Sequence, residues 1–320
     1  MTRLGYQIPN FTYPDTTPDQ LFDKVVAQAK AAEAAGYDRV MLMDHFYQLP
    51  GIGTPDEPMF ECYSMLSALA QHTERVRLSA LVTGNTYRNP ALLGKTVTTL
   101  DHVSHGRATL GLGAGWFELE HDALGFHFGT LAERFERLEE ALQILTPMLR
   151  GERVSLYGKH YRAQDLVNSP APLSSIPLMI GGQGEKKTLR MVAQYADESN
   201  LTGSVEDIPR KLEALDAHCE RLGRNRAEIK VTKLMMVCVA PTHEEAEADL
   251  ERIAAIKGLS DKAKDFVRSA LVFGDPDSVG EALAHAVSLG LDGLTVDLPV
   301  NGDDVERVAL LGEIGLKALA

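Results

Sequence analysis

The chain has 320 residues, 44% hydrophobic and 24% charged, the make-up of an ordinary globular protein with enough apolar material for one large core. No apolar run approaches the roughly 20 residues of a membrane helix, and the net charge of −13 argues against a nucleic-acid or anionic-membrane surface. Cys62, Cys219 and Cys238 lie far apart, with neither metal spacing nor a disulfide framework. Together with a start, Met1 to Asn10, that lacks signal-peptide features, they lead to the expectation of a cytoplasmic protein.

Along the chain a short apolar, β-branched run is followed repeatedly by a loop and an amphipathic helix. The runs predict strands over 4–8, 38–43, 76–82, 107–112, 177–181, 197–201, 229–239 and 292–297; the sixth is weak and rests on the alternation itself. Helix punctuation is clear between them. Thr17 and Gln20 make a capping box around Pro18, and Gly36 supplies the stop. Asn89-Pro90 opens the next clear unit, Leu131, Phe135, Leu138, Leu142, Leu145 and Leu149 form one helix face, Thr242 and Glu245 make a further capping box, and Asp275-Pro276 opens the helix that stops at Gly290. Strands alternating with helices imply parallel pairing through crossovers. Eight such units predict an α/β fold, a (β/α)8 TIM barrel running as one domain over 1–320. Two stretches exceed a plain unit, 45–60 after the second strand and 151–176 before the fifth, and both are expected to frame the mouth.

In such a barrel the site is built at the C-terminal strand ends. Strand two delivers Asp44-His45: either a solvated strand end or a proton-handling pair, since imidazole exchanges protons most readily near neutral pH. Strand three delivers Thr83 and Asn85, which could bond the edge of a heterocycle or serve only the turn before Asn89-Pro90. Strand four delivers Gly113, Ala114, Gly115 and Trp116. The glycines permit close ligand approach, and the lone tryptophan could wall a planar ring or pack under an insertion. Strand five delivers Gly181, Gly182 and Gln183 ahead of a helix start near Glu185. That arrangement is read as a phosphate cradle aided by Lys186 and Lys187 rather than as a plain tight turn. His121 and His127 are placed near the mouth, and His102 and His105 are read as structural. No metal-ligand set and no Schiff-base lysine appears at the strand ends; Lys233 is followed by six further residues of strand pattern and should not reach the mouth.

At these residues the sequence resembles the luciferase-like flavin and deazaflavin oxidoreductases, and more closely the branch that depends on coenzyme F420. The likeness covers nearly the whole chain. Its marks are Asp44-His45, Val82 to Asn85 with Arg88-Asn89-Pro90, Gly111 to Trp116 with Glu118 and Glu120, Arg134-Phe135 with Leu138-Glu139-Glu140, Pro177 to Gly182, and Ala196-Asp197 leading to Asn200. The resemblance implies an F420-dependent hydride transfer to or from a small organic substrate, with a reduced-FMN monooxygenase as the alternative, and a homodimer. It implies a non-prolyl cis bulge at about Ala80-Leu81, with the cofactor ring above it. It places Thr83 and Asn85 at the pyrimidine edge, Gly181 and Gly182 at the phosphate, and His45 near the reactive carbon, with Asp44 orienting it or bonding the cofactor. The sugar-phosphate dehydrogenase of the superfamily carries an acidic residue where this chain has Trp116. That departure points away from a sugar phosphate and makes His45 the first candidate proton donor, ahead of Glu118.

Overall fold

In the computed structural model, which describes residues 4–320, the eight expected strands form β1 (Leu4–Ile8), β2 (Arg39–Leu42), β3 (Arg77–Ala80), β4 (Ala108–Gly113), β5 (Leu178–Gly181), β6 (Glu198–Leu201), β7 (Lys230–Val239) and β8 (Gly293–Asp297). Each pairs in parallel with the next, and β8 returns to β1, which closes the barrel. The weak sixth strand is therefore real: it supplies the ladder between β5 and β7. No helix among the described residues is long and apolar enough to cross a membrane. The three cysteines are buried free thiols.

The helices start where the punctuation places them. Asn89 caps Pro90–Val103 through its side chain, Thr130 and Thr242 close capping boxes on Leu131–Leu149 and His243–Ile256, and Asp275 caps Pro276–Ser288. Thr17 and Gln20 open a 3-10 turn, Pro18–Gln20, that leads into Leu21–Ala34.

The stretch 151–176 holds an antiparallel hairpin, Val154–Tyr157 with Arg162–Leu166, that the sequence reading leaves as an irregular insertion. It starts from the far end of Leu131–Leu149 and climbs that helix. Its turn is seated by Glu140, which accepts from the amides of Lys159, His160 and Tyr161. The Tyr161 side chain comes beside Asn85, so this insertion does reach the mouth. A third insertion, unforeseen as such, follows β7: helices His243–Ile256 and Asp261–Ala270 precede a short strand, Val272–Gly274, that pairs with the end of β7. Lys257 ties it to the loop after β2, bonding the Ile52 carbonyl at 2.6 Å and Glu57 at 2.7 Å.

Strand alternation sends every second side chain into the lumen. That set is unusually polar. Lowest lie the Arg39–Glu198 pair and Arg77, whose Nε donates to Thr109. Above them Asn200 donates to Thr232 and Thr295. Gln7 and Asp297, register partners at the ends of β1 and β8, form the floor of the mouth. Gly111 faces the same lumen, and a Cβ there would stand 2.2 Å from the Ala80 carbonyl oxygen. Backbone cannot yield as a flexible side chain does. Gly111→Ala is expected to destabilise the fold by about 3 kcal/mol, read as a lower urea midpoint at unchanged slope.

Candidate active site

β3 breaks after Ala80 and resumes as the two-residue strand Thr83–Gly84 beside β4. The break holds a cis peptide at Leu81-Val82, one bond later than the Ala80-Leu81 position expected from sequence. The Leu81 amide still donates to Leu42, so the chain leaves the ladder only after that bond, and Gln7 Nε2 reaches across from β1 to the Leu81 carbonyl at 3.1 Å. Val82 then projects toward the glycines: a Cβ on Gly113 or Gly181 would lie 2.9 or 2.8 Å from its methyl groups. These glycines thus make room for the bulge. Leu81 and Val82 remain partly exposed within an otherwise buried ring of strand ends.

Asp44 is buried at the end of β2. Its carboxylate takes a two-pronged bond from Arg88, at 2.6 and 2.9 Å, and the Gly84 amide at 3.2 Å. Burial raises the carboxyl above its usual range, with the Arg88 charge opposing. Arg88 also binds Glu61 at 2.6 Å. Asp44 therefore locks the loop after β3 to β2 and does not orient His45.

That role falls to Glu120. It lies in the short helix Glu118–Leu124, fully buried, and His45 Nδ1 stands 2.8 Å from its Oε2. The same carboxylate accepts from the Phe46 and Tyr47 amides and from the Tyr87 hydroxyl. Burial alone would raise Glu120; the bonds from His45, Tyr87 and the Tyr47 amide outweigh it and leave the group below the ordinary carboxylate range. Four donors converge on one carboxylate, so Nδ1 of His45 carries a proton and Nε2 is the ring nitrogen that Glu120 leaves unengaged. Trp116 stacks on Phe117, and both meet the His45 ring edge-on. Trp116 stays 58% exposed, as a wall of the mouth rather than packing under an insertion.

Glu118, the sequence reading's second proton donor, is exposed. His121 is buried, with both ring nitrogens taken by the Phe117 carbonyl and the Thr86 hydroxyl, and His127 is exposed. His102 bonds the Ala171 carbonyl, in keeping with a structural part. Lys233 reaches the Gly203 carbonyl. Among the described residues no group of three or more metal-ligating side chains gathers.

The other expected contacts are placed as follows. Thr83 is fully buried, its hydroxyl 2.5 Å from that of Tyr63. The Asn85 amide nitrogen is buried without a hydrogen bond, with the Tyr161 side chain beside it. Ala80 lies in the core, Ala114 and Gly115 are half-buried, and the side-chain amide of Asn200 is engaged below the mouth. After β5 the Gly182 amide, at φ +128°, is taken by the Asn200 carbonyl. The helix starts at Thr188, three residues after the expected Glu185. The amides of Gln183, Gly184 and Glu185 between them donate to no protein acceptor among the described residues. A phosphate would therefore meet these donors rather than the Gly182 amide. Lys211 fixes this turn through the Gln183 carbonyl at 2.8 Å and Glu185 at 3.0 Å, and Lys187 lies over the Phe135 ring.

A family model described as luciferase-like monooxygenase matches residues 2–293. The chain belongs to that family. An F420-dependent glucose-6-phosphate dehydrogenase of Microbacterium testaceum is 28% identical over 334 residues, covering 95% of this chain and 93% of the relative. An FMNH2-dependent dimethylsulfone monooxygenase of Pseudomonas fluorescens is 27% identical over 249 residues, covering 76% and 66%. Among solved structures, an F420-dependent secondary alcohol dehydrogenase in complex with an F420-acetone adduct superposes with a TM-score of 0.81 at 17% identity, over 100% of this chain and 99% of the other. At that identity the likeness speaks for the fold.

Proposed function

We propose that the protein is an F420-dependent oxidoreductase that moves a hydride between the deazaflavin and a small organic substrate. The observation that carries the reading is the His45–Glu120 pair beside the β3 bulge: an imidazole with one nitrogen fixed as a donor and the other left for a substrate proton. The strand ends fit the cofactor. Leu81 and Val82 offer an open ledge, Asn85 a buried side-chain amide that only Tyr161 approaches, and the turn 183–185 three amides ahead of a helix. When bound, F420 supplies the two-electron chemistry. The protein's part is to orient and to exclude water: Arg88 and Asp44 hold the loop after β3, Gln7 holds the bulge, Trp116 and Phe117 wall the mouth, and His45 delivers or accepts the proton.

The family's FMN-dependent members make reduced FMN the second reading, and one measurement separates the two. Titration of the purified protein with oxidised F420, reduced F420 and reduced FMN is expected to give an F420 Kd of about 10 μM or tighter, with FMN weaker by at least about tenfold. Binding of reduced FMN with no F420 binding would reverse the assignment, and binding of neither would overturn it.

A further inference from the structure

Asp297 ends β8, and the mechanism above does not use it. Its direction follows from the strand: Thr295 faces the lumen, where it meets Asn200, and two residues on the same face recurs. The side chain is 1% exposed, and its Oδ1 is buried with no hydrogen bond. Its register partners are Gln7 on β1 and Met236 on β7. Gln7 gives its amide hydrogen to the Leu81 carbonyl rather than to Asp297, and Met236 has nothing to give. Tyr6, whose hydroxyl bonds Gln28, is the titratable neighbour on β1, and a carboxylate at Asp297 would only repel its phenolate. Burial alone acts on the Asp297 carboxyl, and it pushes the group well above the ordinary carboxylate range.

A buried acid without a partner, at the C-terminal end of a barrel strand, is out of place in a plain core. Its neighbour Gln7 touches the bulge, so a ring resting on Leu81 and Val82 comes to lie over this floor. We propose that Asp297 is a further binding residue of the mouth, a neutral carboxylic acid whose O–H donates to a carbonyl or ring nitrogen on the pyrimidinedione part of the cofactor. The inference rests on the F420 reading. Reduction places negative charge on that part of the ring. A neutral acid there favours the reduced form, and a carboxylate would repel it.

The test uses Asp297→Asn, which keeps a donor, and Asp297→Leu, which removes it with the same branched skeleton. At pH 7 the asparagine variant is expected to bind oxidised and reduced F420 within about threefold of wild type, and the leucine variant about tenfold more weakly, with the larger loss for the reduced form. A second readout needs no cofactor. An acid raised in the folded state contributes stability that is complete below the ordinary value of 3.8 and is lost as pH rises toward its folded-state value. Urea unfolding of the ligand-free protein from pH 5 to pH 9 should therefore show wild type losing stability relative to Asp297→Asn. Equal F420 affinity of wild type and the leucine variant, or parallel pH profiles of wild type and Asp297→Asn, overturns the proposal alone. Failure of wild type to bind F420 overturns the reading beneath it.

Discussion

His45→Ala should lower turnover about 100- to 10,000-fold while leaving the F420 Kd within about threefold, because a positioned acid or base contributes to the chemical step far more than to ground-state binding. The geometry makes Glu120 inseparable from that effect. Its carboxylate accepts from His45, Tyr87 and the Phe46 and Tyr47 amides, and only an ionised carboxylate can accept from all four. Glu120→Gln keeps the shape but turns an NH2 toward one pair of these donors. The ring is then driven toward the other tautomer, with Nδ1 as acceptor and Nε2 protonated. Turnover should fall by about 100-fold or more, and its pH profile should move. A purely structural role would leave the profile in place. Nitrogen NMR of the labelled ring reads the tautomer directly, and an unchanged Nδ1–H signal in Glu120→Gln would sink the assignment. The linkage has a definite sign. The folded-state value of Glu120 lies below the ordinary 4.5, so its stabilising contribution is present above that pH and is lost as pH falls through the depressed value.

Glu120 stands among the marks of the resemblance, yet its pairing with His45 is not legible there as Asp44-His45 is, and this has a physical cause. A strand ending in two polar residues announces itself in the sequence. A carboxylate on a helix of about two turns does so only through its phase. Phe117 and His121, four apart and both buried, mark the inward face of Glu118–Leu124, and Glu120 lies next to it while Glu118 points to solvent. That spacing was the available signal. The barrel strands were legible because each is a short apolar run between helix caps, and even Glu198–Leu201 follows from alternation. The hairpin at 154–166 and the helix Asp261–Ala270 were not. The hairpin alternates polar residues over a small buried face, and the helix has no buried residue among its ten. The bulge was displaced by one bond because sequence cannot say where β3 leaves its ladder; the Leu81 amide still pairs with Leu42. Gln7 and Asp297 carry no such signal, because each is a lone polar residue near the end of a strand that otherwise reads as core.

Beneath the site, Arg39→Met should destabilise the protein by about 3–5 kcal/mol, the usual effect of leaving a buried charge without its partner. Arg39 is 2% exposed inside the lower barrel, and its guanidinium grips Glu198 with two parallel bonds of 2.6 and 2.8 Å. Removing the arginine strands the carboxylate among Met179, Arg77 and the walls of the lumen, with Arg77 already turned to Thr109 and the Ala108 carbonyl. Joining Arg39→Met to Glu198→Leu removes both charges from one space of similar volume, so the double variant should recover most of the loss. Urea midpoints of the four proteins, compared at equal slope, give the coupling. An additive result, with the double variant worse than either single, would mean no coupling between the two charges and would overturn the ion pair as the source of the loss. The same experiment bears on the mouth. Glu198 is the register partner of Met179, two residues before Gly181, so the pair braces β2 against β6 across the lumen directly under the strand ends that carry the bulge and the turn 183–185. A double variant that regains stability but binds F420 more weakly would mean that the ion pair serves to hold those strand ends in place as well as to fill the core.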